Sequence, residues 1–216
     1  MSIVSDGTLR KLISLVVVAA AASIAATASA SSVIDEWSSV QAPPPPALKP
    51  VTIDRGTTAL LLLDFNQQTC NAERRPRCIA SIPQVAKLLH AARGAGVPVF
   101  YSLGGGGTPA DLLKELTPTN DEPVVSAGVD KFAGTDLESL LKKKGIKTVI
   151  VAGVAAHGAV LYTASAAATR DMKVIVALDG VSADNAYAEQ YTAWHLVNVP
   201  RIGPSVTLTT IDAIKF

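Results

Sequence analysis

Aromatic side chains are scarce in this chain, at 5% of 216 residues, and charged ones make up only 17%. The charges nearly cancel, with 19 Lys and Arg against 18 Asp and Glu. Without a basic stripe there is no electrostatic footprint for nucleic acid, and no acidic tail is present either. Histidine occurs three times, at His90, His157 and His195, and never at the paired spacing of a zinc site. No metal and no cofactor is therefore expected. Cysteine occurs twice, at Cys70 and Cys78. Seven residues lie between them, which is too many for a redox pair of the Cys-x-x-Cys kind.

What is present begins with an address. Arg10 and Lys11 precede an apolar stretch over 12–26, and Ala28-Ser29-Ala30 forms a small-residue cleavage site. This pattern reads as a secretory signal peptide over 1–30. A membrane anchor would need about 20 continuous apolar residues, and Ser14, Ser23, Thr27 and Ser29 break the run. No membrane contact is expected after cleavage, and the mature chain is expected to be exported, either periplasmic or secreted. Residues 31–50 read as an extended leader around Pro43-Pro44-Pro45-Pro46. Residues 51–216 are enough for one domain with a proper core. In an exported chain a cysteine pair favours a disulfide. Two inert thiols, or a nucleophile at Cys70, remain alternatives.

Five apolar, β-rich runs stand out at 59–64, 97–103, 148–153, 174–178 and 206–210. The central ones carry almost no polar residue, as parallel strands covered on both faces do. Helical patterns lie between them at 82–95, 135–144, 158–170 and 186–198. The second opens on Thr135-Asp136-Leu137-Glu138, which has the form of a capping box. Alternation of this kind predicts an α/β fold: a three-layer α/β/α sandwich on a mostly parallel, doubly wound sheet. Gly104-Gly105-Gly106-Gly107 lacks the following Lys and Ser/Thr of a phosphate loop and reads as a rim loop.

Two features fall at strand ends. The segment from Gly153 through Val154, Ala155, Ala156, His157, Gly158 and Ala159 to Val160 leaves a strand and opens a small-residue helix. That is where α/β proteins place nucleophiles and oxyanion holes, yet it offers neither Cys nor Ser. Asp64 ends another strand, directly after four leucines. In a doubly wound sheet these two strands are neighbours where the winding reverses, so both features meet in one crevice. Asp64 fits two readings, a partly desolvated general acid or base and a turn cap.

The run Leu61-Leu62-Leu63-Asp64-Phe65-Asn66-Gln67 resembles the first-strand motif of the isochorismatase-like (cysteine hydrolase) family. Lys131-Phe132-Ala133-Gly134-Thr135-Asp136-Leu137 is similar to that family's helix entry, Phe-x-x-Thr-x-Leu. The segment from Val151 to Ala164 resembles its nucleophile turn, and Asp179-Gly180 its fourth block. The resemblance implies a small-molecule site in which Asp64 is catalytic. It places Ser126 where the family's Lys stands and Ala159 where its Cys stands, so hydrolysis through a thioester is not expected. Isochorismatases proper protonate a vinyl ether from their Asp and tolerate a small residue at the Cys position.

Lys131, five residues after Ser126, is either a returning positive charge or a solvated lysine before a helix. His157 either orients water or substrate, or bonds a backbone carbonyl. Phe65, Asn66, Gln67, Ser126 and Phe132 are candidate substrate contacts. The amides of Ala155, Ala156 and Ala159 are expected to form an anion pocket. The resemblance also implies a non-proline cis peptide near Val154-Ala155, and a homo-oligomer. For the last, the aromatic helix with Tyr187, Tyr191, Trp194 and His195 is a candidate interface. The family's metal pattern, Asp-x-His, is absent. Two functions stand open: a hydrolase acting on a small carboxylate, amide or vinyl ether through Asp64, and an inactive member that binds a small anion or serves as an interaction module.

Overall fold

The computed structural model describes residues 31–104 and 106–216, so the signal peptide expected over 1–30 lies outside the described residues. The chain divides between Pro43 and Pro44 into two compact units. In the first, helix α1 (Val33–Glu36) corrects the expectation of a wholly extended leader. Ser32 and Asp35 form a reciprocal capping box there, which closes one helical turn.

The second unit holds strands β1 (Val51–Thr52) and β2 (Thr58–Leu63), helix α2 (Pro76–Gly94), and strands β3 (Val99–Leu103) and β4 (Val124–Ser126). Helix α3 (Leu137–Lys143), strand β5 (Thr148–Val154), helix α4 (Leu161–Ala168) and strand β6 (Lys173–Ser182) follow. Helix α5 (Ala186–Asn198) and strands β7 (Val206–Thr209) and β8 (Ile214–Lys215) complete it. Six strands form one sheet in the order β4-β3-β2-β5-β6-β7, every pair parallel, and β1 pairs with β8.

The pleat explains the two cores. All six residues of β2 are buried. Ala59, Leu61 and Leu63 face α3, α4 and α5, while Leu60 and Leu62 face α2. Each buried leucine contributes roughly 2 kcal/mol by removal from water. Connections run outward from β2 and β5 in opposite directions, which puts α2 and α3–α5 on opposite faces.

Three expectations need correction. Helix α2 starts at Pro76, not at 82, because Pro76 suits a first helical position and Cys78 begins the inward stripe continued by Ile82, Val85 and Leu89. Strand β6 does not end at Leu178 but runs on to Ser182 through Asp179 and Gly180, which sit in a register shift against β5. Asp179 Oδ1 accepts the Ile211 amide at 2.9 Å, and bare Gly180 lets the strand hug Ala152 of β5. The capping box at Thr135 does not form. The Thr135 hydroxyl donates to Lys131 O at 2.6 Å and accepts from Leu137 N, while Glu138 is drawn to Lys142 and Arg170.

Candidate active site

Asp64 leaves β2 with a φ of 58°, a left-handed conformation that Asp tolerates better than most residues. It is 6% exposed. The turn that follows is capped by Asn66, whose Oδ1 accepts the amides of Gln68 at 3.1 Å and Thr69 at 3.0 Å. The Thr69 hydroxyl donates to the Asp64 carbonyl. The carboxylate of Asp64 is thereby released from turn duty. Its Oδ1 accepts from Ser102 Oγ at 2.7 Å, and its Oδ2 meets Lys131 Nζ at 2.8 Å.

Lys131 is fully buried, which removes the reading of a solvated lysine. Its ammonium also donates to Gly128 O at 2.7 Å and Ala127 O at 3.2 Å, so each of its three N–H groups has an acceptor. A buried ion pair is tolerable only when the remaining donors and lone pairs are met in this way. The backbone of the loop is pinned as well. Lys131 N donates to Thr163 Oγ1 at 3.2 Å, and that hydroxyl donates to Val129 O at 3.3 Å. Thr163 lies in the first turn of α4, directly after the turn that holds Ala159, so adjoining elements carry the 159 position and the anchor of Lys131. Ser126, by contrast, is exposed at the end of β4. Phe132 is buried with the Arg170 guanidinium 4.6 Å above its ring.

Strand β5 ends at Val154, the Val154–Ala155 peptide is cis, and a single π-type turn covers Ala156–Val160 before α4 begins. Gly153 makes this junction possible. A Cβ there would lie 2.6 Å from Leu63 Cβ and 2.9 Å from Leu63 O. Ala156 and Ala159 are buried, Ala155 is half-buried and His157 is exposed. The amides of Gly158 and Val160 turn back to the Ala155 carbonyl. Among the described residues, no backbone acceptor takes the amides of Ala155, Ala156 or His157.

Other candidates are placed elsewhere. Phe65 is fully buried in the core on the α2 side, Asn66 spends its carbonyl oxygen on the turn, and Gln67 is exposed. Phe65 and Asn66 are thus occupied by the fold. Cys70 and Cys78 form a disulfide with Cα atoms 5.5 Å apart, which leaves no thiol at Cys70. His195 is half-buried and shares a hydrogen bond with Tyr191 at 3.1 Å.

Sequence reasoning missed three contributors. Ser102 is the one aliphatic hydroxyl in Val-Phe-Tyr-Ser-Leu, and its register beside Leu63 brings it to the next residue, Asp64. Thr163 stood only as part of the segment that resembles the nucleophile turn. Gly104 packs against the carboxylate itself, since a Cβ there would lie 2.7 Å from Asp64 Oδ2.

These blocks recur in known proteins. Residues 58–210 match the isochorismatase domain. The secreted isochorismatase effector Isc1 of Verticillium dahliae is 31% identical over 144 residues, covering 61% of this chain and 76% of that protein. The uncharacterised isochorismatase family protein YecD of Escherichia coli O157:H7 is 27% identical over 170 residues, covering 68% of this chain and 89% of its own. Among solved structures, an isochorismatase-like hydrolase from Alkaliphilus metalliredigens superposes with a TM-score of 0.65 at 26% identity, over 72% of this chain and 95% of that one. With the domain match spanning most of the second unit, the chain belongs to the isochorismatase family.

Proposed function

We propose that the chain is an exported hydrolase that acts on a small carboxylate, amide or vinyl ether through Asp64 and a water molecule, with no cysteine nucleophile. The observation that carries this reading is the buried pair of Asp64 and Lys131, with Asp64 leaving β2 where Leu63 pairs with Gly153, next to a turn whose first amides lack backbone acceptors. Ser102 and Lys131 both donate to Asp64 and fix the orientation of its carboxylate. Water attacking a carbonyl gives its proton to Asp64, and the same proton passes on to the leaving group. The amides of Ala155, Ala156 and Ala159 receive the developing oxyanion. A vinyl ether asks the reverse order, with Asp64 first taking a proton and then giving it to carbon. Export is supported by the N-terminal pattern, by the disulfide and by the secreted relative.

The methyl of Ala159, where the family pattern has its Cys, favours a second reading in which the crevice binds a small anion and converts nothing. A screen of amides, vinyl ethers and carboxylic acids separates the two. Turnover that falls by roughly 10³-fold in Asp64→Asn supports the hydrolase. A compound that raises Tm but is never converted supports binding alone, and full turnover in Asp64→Asn removes the Asp64 mechanism.

A further inference from the structure

The segment after Asp64 is tied down far more heavily than a surface turn requires. Asn66 O accepts the amides of Thr69 at 3.1 Å and Cys70 at 2.8 Å, and Thr69 bonds back to Asp64. The turn from 64 to 70 is therefore one hydrogen-bonded cap whose far end is Cys70. Cys70 is bonded to Cys78, in the first turn of α2, and both sulfur residues are buried, at 1% and 0% exposure. Between them Arg75 donates to Thr69 O at 2.9 Å and pairs with Asp184 beyond the end of β6. Two attachments, one covalent and one ionic, thus hold the same cap against α2 and the β6–α5 connection.

We propose that the Cys70–Cys78 disulfide and Arg75 are positioning elements for Asp64. They hold the cap so that the Asp64 carboxylate stays on Lys131, and reduction of the disulfide loosens that pair while the sheet remains folded. The chemistry is ordinary thiol–disulfide exchange. A dithiol gives up two electrons, the Cys70–Cys78 bond breaks, each sulfur gains a proton, and the dithiol closes to its own disulfide. The site is then set in an oxidising compartment and slack in a reducing one. Any effect on turnover rests on the Asp64 reading above, but the geometry of the pair does not.

The test reads Lys131 directly, because it is fully buried when the pair is intact. The double variant Cys70→Ser/Cys78→Ser and the oxidised parent are treated with acetic anhydride, and acetylation is followed by mass spectrometry. The exposed Lys87 serves as the reference. Hydrogen exchange at Leu61 and Val151 reports on the sheet. The proposal expects Lys131 acetylation to rise at least tenfold relative to Lys87, with exchange at Leu61 and Val151 unchanged. Arg75→Ala keeps both cysteines and is expected to raise Lys131 acetylation several-fold. It decides the matter if the double variant does not fold. Unchanged Lys131 labelling in a folded variant overturns the proposal, and so does labelling that rises only in step with exchange at Leu61 and Val151. If a substrate is in hand, the proposal further expects kcat to fall more than KM rises.

Discussion

Lys131 Nζ sits 2.8 Å from Asp64 Oδ2, with Lys131 fully buried and Asp64 6% exposed, and neither residue has another charged partner among the described residues. The ammonium enters from a loop after β4 and the carboxylate from the end of β2, so the pair ties that loop to the end of β2.

Removing one member of that pair strands the other. Lys131→Ala is expected to lower stability by about 3–5 kcal/mol, because Asp64 keeps only its bond from Ser102. Asp64→Asn retains an acceptor for Lys131 and is expected to cost less than half of that. Urea unfolding of the two variants beside the parent checks the order. Equal losses would mean that Lys131 needs the charge of Asp64 and that a neutral acceptor does not replace it.

Ser102→Ala takes away one donor to Asp64 and leaves the ion pair. The expected loss is about 1 kcal/mol of stability. On any identified substrate the expected drop in kcat is far smaller than that of Asp64→Asn. A loss in kcat matching Asp64→Asn would make Ser102 part of the reaction rather than a support for it.

Gly153→Ala places a methyl against Leu63 and Val160, with its closest approach at 2.6 Å. Strands β2 and β5 are in register there, at Leu63 and Gly153, and neither can retreat without breaking the ladder. The variant is expected to lose about 1–3 kcal/mol. Thermal melting measures it, and an unchanged Tm would show that the junction has slack.

A pH effect is expected away from the crevice, at Glu122 and Arg93. Burial works to raise the Glu122 carboxyl, but the Arg93 hydrogen bond and the Thr119 amide outweigh it and hold the group below its ordinary value of 4.5. A depressed carboxyl adds stability that is fully present above the ordinary value and disappears as pH falls through the lower, folded one. Glu122→Gln is therefore expected to melt below the parent at pH 7, with the gap closing as the solution is taken below pH 4.5. Melting curves across that range check this, and a gap that stays constant would contradict it.

The architecture was legible where the chain is unambiguous. Leu60 to Leu63 can only be a strand buried on both faces, and the small residues after Val154 can only be a tight passage into a helix. Strand β4 was hidden because it has three residues, ends on Ser126 and follows a Pro-rich loop. The start of α2 was hidden because Arg74-Arg75-Pro76-Arg77 carries no apolar period of its own, and Cys78 reads as a loop staple until its burial is known. Lys131 shows the limit of reading roles by spacing. Counting back from Phe132 points to Ser126, whose side chain is exposed. The intervening loop folds so that the lysine beside Phe132 delivers its ammonium to Asp64 instead. Sequence distance fixes which residues are near in the chain, and a loop decides which of them arrives.

Gly104 has a bearing on redesign. Any side chain at 104 would begin 2.7 Å from Asp64 Oδ2 and 3.5 Å from Lys131 Nζ, so altering that position alters the buried pair itself. Gly128 differs: a Cβ there meets nothing within 4 Å, while its carbonyl still accepts from Lys131. A Cβ at 128 is therefore accommodated, whereas 104 is a site at which every residue but glycine starts by disturbing Asp64.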